Sequence, residues 1–128
     1  MFRNDEQLAR ACRALCAQVG LGGLWTPDGP TERAIELMEA DGGPLSSGER
    51  IMAMTSWAVW NSHDGARVAD VIHRLDNRNL AALGSLMIAV SHGMPAIDDW
   101  ITKMERTGGA EPGGKGRDPR RENLNPNR

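Results

Sequence analysis

The chain has 128 residues, 40% of them hydrophobic and 25% charged, with a formal net charge of −2. This suits one ordinary globular domain and excludes a wholly disordered chain. The charge is uneven: residues 107–128 carry five basic and three acidic side chains, so +2 there leaves −4 for the rest, which argues against nucleic acid as a partner of the body.

The periodicity predicts a first helix over 5–19, with Asn4 as its cap and Gln7 as the reciprocal partner. Leu8, Ala11, Cys12, Leu15, Cys16 and Val19 recur on one side, and Gly20 ends it. "LGGLWTPDGP" reads as a loop with Trp25 tucked into the domain. A second helix is expected over 31–41, with Ala34, Ile35 and Met38 inward and Glu32, Glu36 and Glu39 on one outward stripe. "LSSGERIM" opens a third helix through a capping box of Ser46 and Glu49, and this helix runs through Trp60.

A fourth helix over 67–75 gathers Val68, Val71, Ile72 and Leu75 on one face. A fifth, from 77 or 78 to 91, has an apolar arc of Leu80, Leu83, Leu86, Met87 and Val90. Its opposite side carries Ala82, Ser85 and Ala89, small enough for another helix to come close. A sixth helix starts near Pro95, with Asp98 and Asp99 in its first turn and Ile97, Trp100, Ile101 and Met104 inward. From Thr107 the composition turns to Gly, Pro, Asn and Arg, which predicts a flexible tail.

No stretch reads as a sheet. The expected fold is therefore all-α: a compact bundle of five or six short helices, a helical domain over 1–106 and a flexible tail over 107–128. The third and fifth helices are uncharged over most of their length and are expected to form the centre, with the fourth linking them. Their uncharged sides can satisfy one another or bury against a second copy, so a homodimer is compatible with the pattern.

The longest run without a formal charge, 79–97, is interrupted by Gly84, His92, Gly93 and Pro95 and is too broken to span a membrane. The opening "MFRNDEQLAR" has no apolar stretch that could serve as a signal, and the two cysteines suggest a reducing compartment. The expected location is cytoplasmic.

The stretch "MTSWAVWNSHDG" holds the densest polar chemistry. With Gly65 at position six of a calcium loop, Trp60 falls at position one and Val71 at position twelve, so two essential ligands are missing. Zinc candidates are Cys12, Cys16, His63, His73 and His92, but no His has a recognisable paired spacing, and free cysteines usually just pack. His63 and Asp64 are neighbours without a nucleophile, and "GLGG" at 20–23 does not open a strand–loop–helix unit. The cluster reads as helix termination, with Asn61 as breaker, Asp64-Gly65 as a turn and Asp64 as a cap for the fourth helix. No metal, cofactor or catalytic residue is expected. In a helix-turn-helix reading only Asn77, Arg78 and Asn79 could meet base edges, and the rest of the fifth helix is apolar.

Three features remain for function. Trp57 and Trp60 lie on neighbouring sides of the third helix and are either core or an anchor for a partner. The stripe of Glu32, Glu36 and Glu39 is either a solvated face or a surface for a basic partner. Lys115, Arg117, Arg120 and Arg121 in the tail could touch nucleic acid or a partner. The leading expectation is a non-enzymatic protein-interaction domain: an adaptor, a regulatory subunit or an inhibitor of a larger machine. A mobile element's inhibitor of a host nucleic-acid machine would be of this type. The alternatives are a nucleic-acid-associated regulator working through the tail and a small enzyme with a site near His63, Asp64 and His73.

Overall fold

The computed structural model describes residues 1–62 and 65–109. The fold is all-α. Among the described residues the order is α1 (Asp5–Ala17), a 3-10 turn (Gly22–Leu24), β1 (Trp25–Thr26), β2 (Gly29–Pro30), α2 (Glu32–Glu39), α3 (Ser47–Asn61), α4 (Val68–Arg74), α5 (Asn77–His92), α6 (Met94–Met104) and a π turn (Glu105–Gly109). The π turn carries helical backbone slightly past the expected boundary at 107, and residues 110–128 of the expected tail lie outside the described residues.

Local chemistry sets the helix ends. Asn4 accepts from the Gln7 backbone N–H at 2.9 Å, as a cap should. Gln7 does not reciprocate to Asn4. Its side-chain oxygen accepts from the Arg3 N–H, while its amide donates to the Met94 carbonyl at 3.2 Å and to Asp98 Oδ1 at 2.9 Å. The regular part of α1 ends at Ala17, short of Val19, and Gly20 closes it as expected, in a Schellman turn: the Leu21 N–H donates to the Cys16 carbonyl at 2.8 Å and the Gly20 N–H to the Ala17 carbonyl at 3.1 Å, with Gly20 at φ +79°. Ser46 and Glu49 form the expected capping box on α3. Thr31 and Asp76 cap α2 and α5 through the N–H groups of Ala34 and Asn79.

The stretch expected to be only a loop contains a two-stranded hairpin, with Trp25 opposite Pro30 and Thr26 opposite Gly29. Gly29 has φ +132°, and a Cβ there would lie 2.8 Å from the Trp60 ring. The turn therefore needs a residue with no side chain, for both backbone and space. So short a pairing has no strand-like period, which is why alternation could not announce it.

The centre of the molecule is α1, not α3 and α5. Its Ala9, Ala11, Cys12, Leu15 and Cys16 have no solvent exposure. One side of α1 joins Ile51, Met52, Leu75, Leu83, Leu86, Ala89, Ile97, Trp100 and Ile101 in a first apolar cluster. Its other side, through Cys12 and Cys16, joins Leu24, Trp25, Ala34 and Leu37 in a second. Alanine and cysteine are small enough for neighbours to approach α1 from both directions. Its charged residues sit at the edges, where Arg10 pairs with Glu105 at 2.8 Å.

The remaining differences concern direction. In α2, Leu37 is buried, whereas Ile35, expected inward, is 38% exposed. In α5 the small side takes a neighbour as expected, with Ala82 and Ala89 buried, but the apolar arc is split: Leu83 and Leu86 are buried while Met87 is exposed. α6 lies on that small side, and the Trp100 indole N–H donates to Ser85 Oγ at 2.8 Å. α4 has no buried residue, and its Val68 and Ile72, expected on a packing face, are exposed. The inward face expected for α6 is present, with Ile97, Trp100 and Ile101 buried. Asp98 and Asp99 fall past its first turn, since the helix begins at Met94.

Candidate interaction surface

The stretch after α3 ends on backbone geometry. Ser62, not Asn61, takes the left-handed conformation, at φ +59°. His63 and Asp64 lie outside the described residues, so neither the cap expected of Asp64 nor a site at His63 bears on the described structure. Arg67 occupies the cap position of α4 without a side-chain capping bond. A Cβ on Gly65 would collide with the Met54 carbonyl oxygen and lie 2.6 Å from Ala58 Cβ. This glycine is thus explained by close packing on α3.

The two thiols are internal packing groups. Cys12 donates to the Ser56 carbonyl at 3.4 Å, Cys16 donates to Ser56 Oγ at 3.3 Å, and the Trp25 indole N–H reaches Cys16 Sγ at 3.2 Å. Cys12, Cys16 and Ser56 all have no solvent exposure. Burial pushes both thiols up from their ordinary range; neighbouring Cys16 adds to this at Cys12, while hydrogen bonding with Ser56 and Trp25 opposes it at Cys16. Periodicity located the cysteines on the core side of α1, but the serine between them carried no signal of its own. His73 and His92 are exposed at the ends of α4 and α5. Among the described residues no group of three or more His, Cys, Asp or Glu is gathered to hold a metal. No helix among them is long and apolar enough to cross a membrane.

The acidic stripe is on the surface. Glu32, Glu36 and Glu39 are exposed along α2, and Glu36 has one loose ion pair, to Arg33 at 3.6 Å. Ile35 completes the i, i+3, i+4, i+7 row with them, so an exposed apolar side chain stands among three carboxylates. The sequence pattern missed this because Ile35 and Leu37 are both plausible inward residues on a helix of eight.

Trp57 and Trp60 are both half-buried. Trp60 meets Trp25 edge-on, with centroids 5.8 Å apart at 64°, and belongs to the flank of the second cluster. Trp57 belongs to neither apolar cluster. Lys115, Arg117, Arg120 and Arg121 lie outside the described residues. Of the candidate residues, the three glutamates therefore share one face of α2, and the two tryptophans lie on a different helix.

A second polar group went unnoticed in the sequence because its members are some ninety positions apart. Arg3 makes a bidentate pair with Asp98, at 3.2 and 2.7 Å, and Gln7 bonds the same carboxylate. Hydrogen bonding from Arg3 and then Gln7 holds the Asp98 carboxyl below the usual carboxylate range. Arg10 and Glu105 repeat the arrangement beside it. Each positive group has its negative partner, so the cluster ties the start of the chain to α6 and the turn after it. The chain matches no protein-family model, no curated protein and no solved structure.

Proposed function

We propose that this chain is a non-enzymatic protein-interaction domain, an adaptor, regulatory subunit or inhibitor, that docks a basic surface of a larger protein on α2. The observation that carries the reading is the exposed row of Glu32, Ile35, Glu36 and Glu39. Carboxylates steer a basic partner and set its register, and one apolar side chain at their centre supplies a contact that excludes water. Trp57, half-buried on α3, is the aromatic candidate for a second contact.

The test is a pull-down of the tagged chain from its native extract, with and without nuclease, beside the Glu36→Lys/Glu39→Lys double variant. The expected result is a stoichiometric protein partner that survives nuclease and binds the variant about tenfold more weakly, the order expected for two reversed surface charges. Both positions are exposed, so the variant should melt with the wild type. Equal capture by the variant would remove α2 from the reading. Partners that vanish with nuclease would replace it with nucleic-acid association through Lys115, Arg117, Arg120 and Arg121.

A further inference from the structure

The outward face of α2 carries negative charge that goes largely unanswered among the described residues. Glu32, Glu36 and Glu39 are exposed along it with Ile35 between them, and their one ion pair is the loose contact of Glu36 with Arg33 at 3.6 Å. Carboxylates elsewhere are engaged: Asp98 and Glu105 have arginine partners, Asp70 lies between Arg67 and Arg74, and Glu49 and Asp76 serve as caps.

The answering charge is in the same chain. The stretch "KGRDPRR", residues 115–121, sets Lys115, Arg117, Arg120 and Arg121 against Asp118 alone, so it carries +3 where the three glutamates of α2 carry −3. Lysine and arginine also bring long apolar stems, which can lie over an exposed apolar residue such as Ile35 while their charged ends stay in water. Each such surface pair is weak by itself, but several acting together on a tether are not.

The tether has the length. The π turn that ends the described chain packs beside α1, where Arg10 holds Glu105. α2 packs against the Cys12 and Cys16 side of the same helix through Ala34 and Leu37. From the turn to the outward face of α2 is therefore on the order of two helix diameters, about 20–24 Å. Lys115 follows Gly109 by six positions and Arg121 by twelve. At about 3.3–3.6 Å per extended residue these reach about 20 and 40 Å, so the basic stretch spans the gap with chain to spare. A tether this short keeps it near α2 at an effective concentration on the order of millimolar.

We infer that residues 115–121 fold back onto the Glu32, Ile35, Glu36 and Glu39 face of α2. The tail is then an internal competitor, and a basic partner of α2 has to displace it; that regulatory consequence rests on the α2 docking reading, whereas the contact itself does not. The test is paramagnetic relaxation from a nitroxide on Asn123→Cys in the full chain, read on backbone amides at low salt. Cys12 and Cys16 have no solvent exposure, so the label goes to the added thiol. The amides of Ile35 and Glu36 should lose intensity, and those of Met87 and Ile88 on α5 should not. The loss should disappear at about 1 M salt, where charges more than about 3 Å apart are screened. It should disappear in Glu36→Lys/Glu39→Lys and in Arg117→Glu/Arg120→Glu/Arg121→Glu, and return when the two sets are combined. The arginine variant leaves the described residues unchanged, so the test stands even where the glutamate variant folds poorly. Equal broadening over all helices would overturn the inference, as would broadening at α2 that the arginine variant leaves in place. Broadening passed from a labelled chain to α2 of an unlabelled, isotope-enriched one would replace it with a contact between copies. No partner takes part in this measurement, so a tail that fails to dock and a pull-down that fails on α2 are told apart.

Discussion

Ser56 has no solvent exposure and receives two thiols, one on its carbonyl and one on its hydroxyl. Sulfur, hydroxyl and the Trp25 indole thus satisfy one another inside the second apolar cluster, where an unpaired polar atom would be costly. This has a chemical consequence. The thiolate is the reactive form, and burial pushes both thiols up, away from ionisation at neutral pH. The folded chain should therefore show no fast-reacting thiol towards an aromatic disulfide reagent at neutral pH, and two after denaturation in guanidinium. A fast thiol in the folded state would mean that α1 or the hairpin opens readily. The residue scale also sets how much of this was legible. The helical side of Cys12 and Cys16 was readable because both fall on one period; their hydrogen-bond partner was not, because Ser56 comes from a helix forty positions on.

At the scale of the element, α2 shows how a helix end can carry strain. The Gly42 N–H donates to the Leu37 carbonyl at 2.7 Å and the Asp41 N–H to Met38 at 3.2 Å, so Asp41 occupies the left-handed position of a Schellman turn at φ +54°. Aspartate tolerates this conformation better than most residues, yet glycine fits it without steric cost. Asp41→Gly should raise stability by about 0.5–1 kcal/mol, after its larger unfolded-state entropy is counted. In a domain of this size that is a rise of about 2–4 °C in the thermal midpoint. A fall in the midpoint would show that the Asp41 side chain contributes more than its backbone strain removes. The element scale was the most legible: Asn4 and Ser46 sit where caps were expected, because capping is a local bond between residues three apart. The facing of α2 and α5 was less so, since a wide apolar arc names a face only loosely and small residues bury as readily as large ones.

At the scale of the molecule, the Arg3–Asp98 and Arg10–Glu105 pairs join the two ends of the described chain across α1 and α6. Both pairs are about half exposed, so they act in water and contribute modestly. Their signature is in the pH dependence. The Asp98 carboxyl is held below its ordinary range by Arg3 and Gln7 in the folded chain and released in the unfolded chain. Its stabilisation is complete above the ordinary carboxylate range and is lost as pH falls through the depressed folded value. The urea midpoint of the wild type should therefore fall more steeply on acidification than that of Asp98→Asn, with the two curves converging at the acid end. Parallel curves would show that the pair contributes nothing to folding. High salt should narrow the difference at neutral pH.

By itself the sequence determined the class of fold, the caps of α1 and α3 and the order of the helices, because these depend on bonds and periods within a few residues. It also placed Trp25 in the interior and the three glutamates of α2 outside, where apolar area and charge decide without a partner. Only the tertiary structure decided that α1 is the centre, that Leu37 goes in and Ile35 out, and that α5 leaves Met87 and Ile88 in water. Those outcomes depend on how closely other helices approach, and close approach is set by small residues on both members of a pair. A single strand of sequence does not say which pairs will meet.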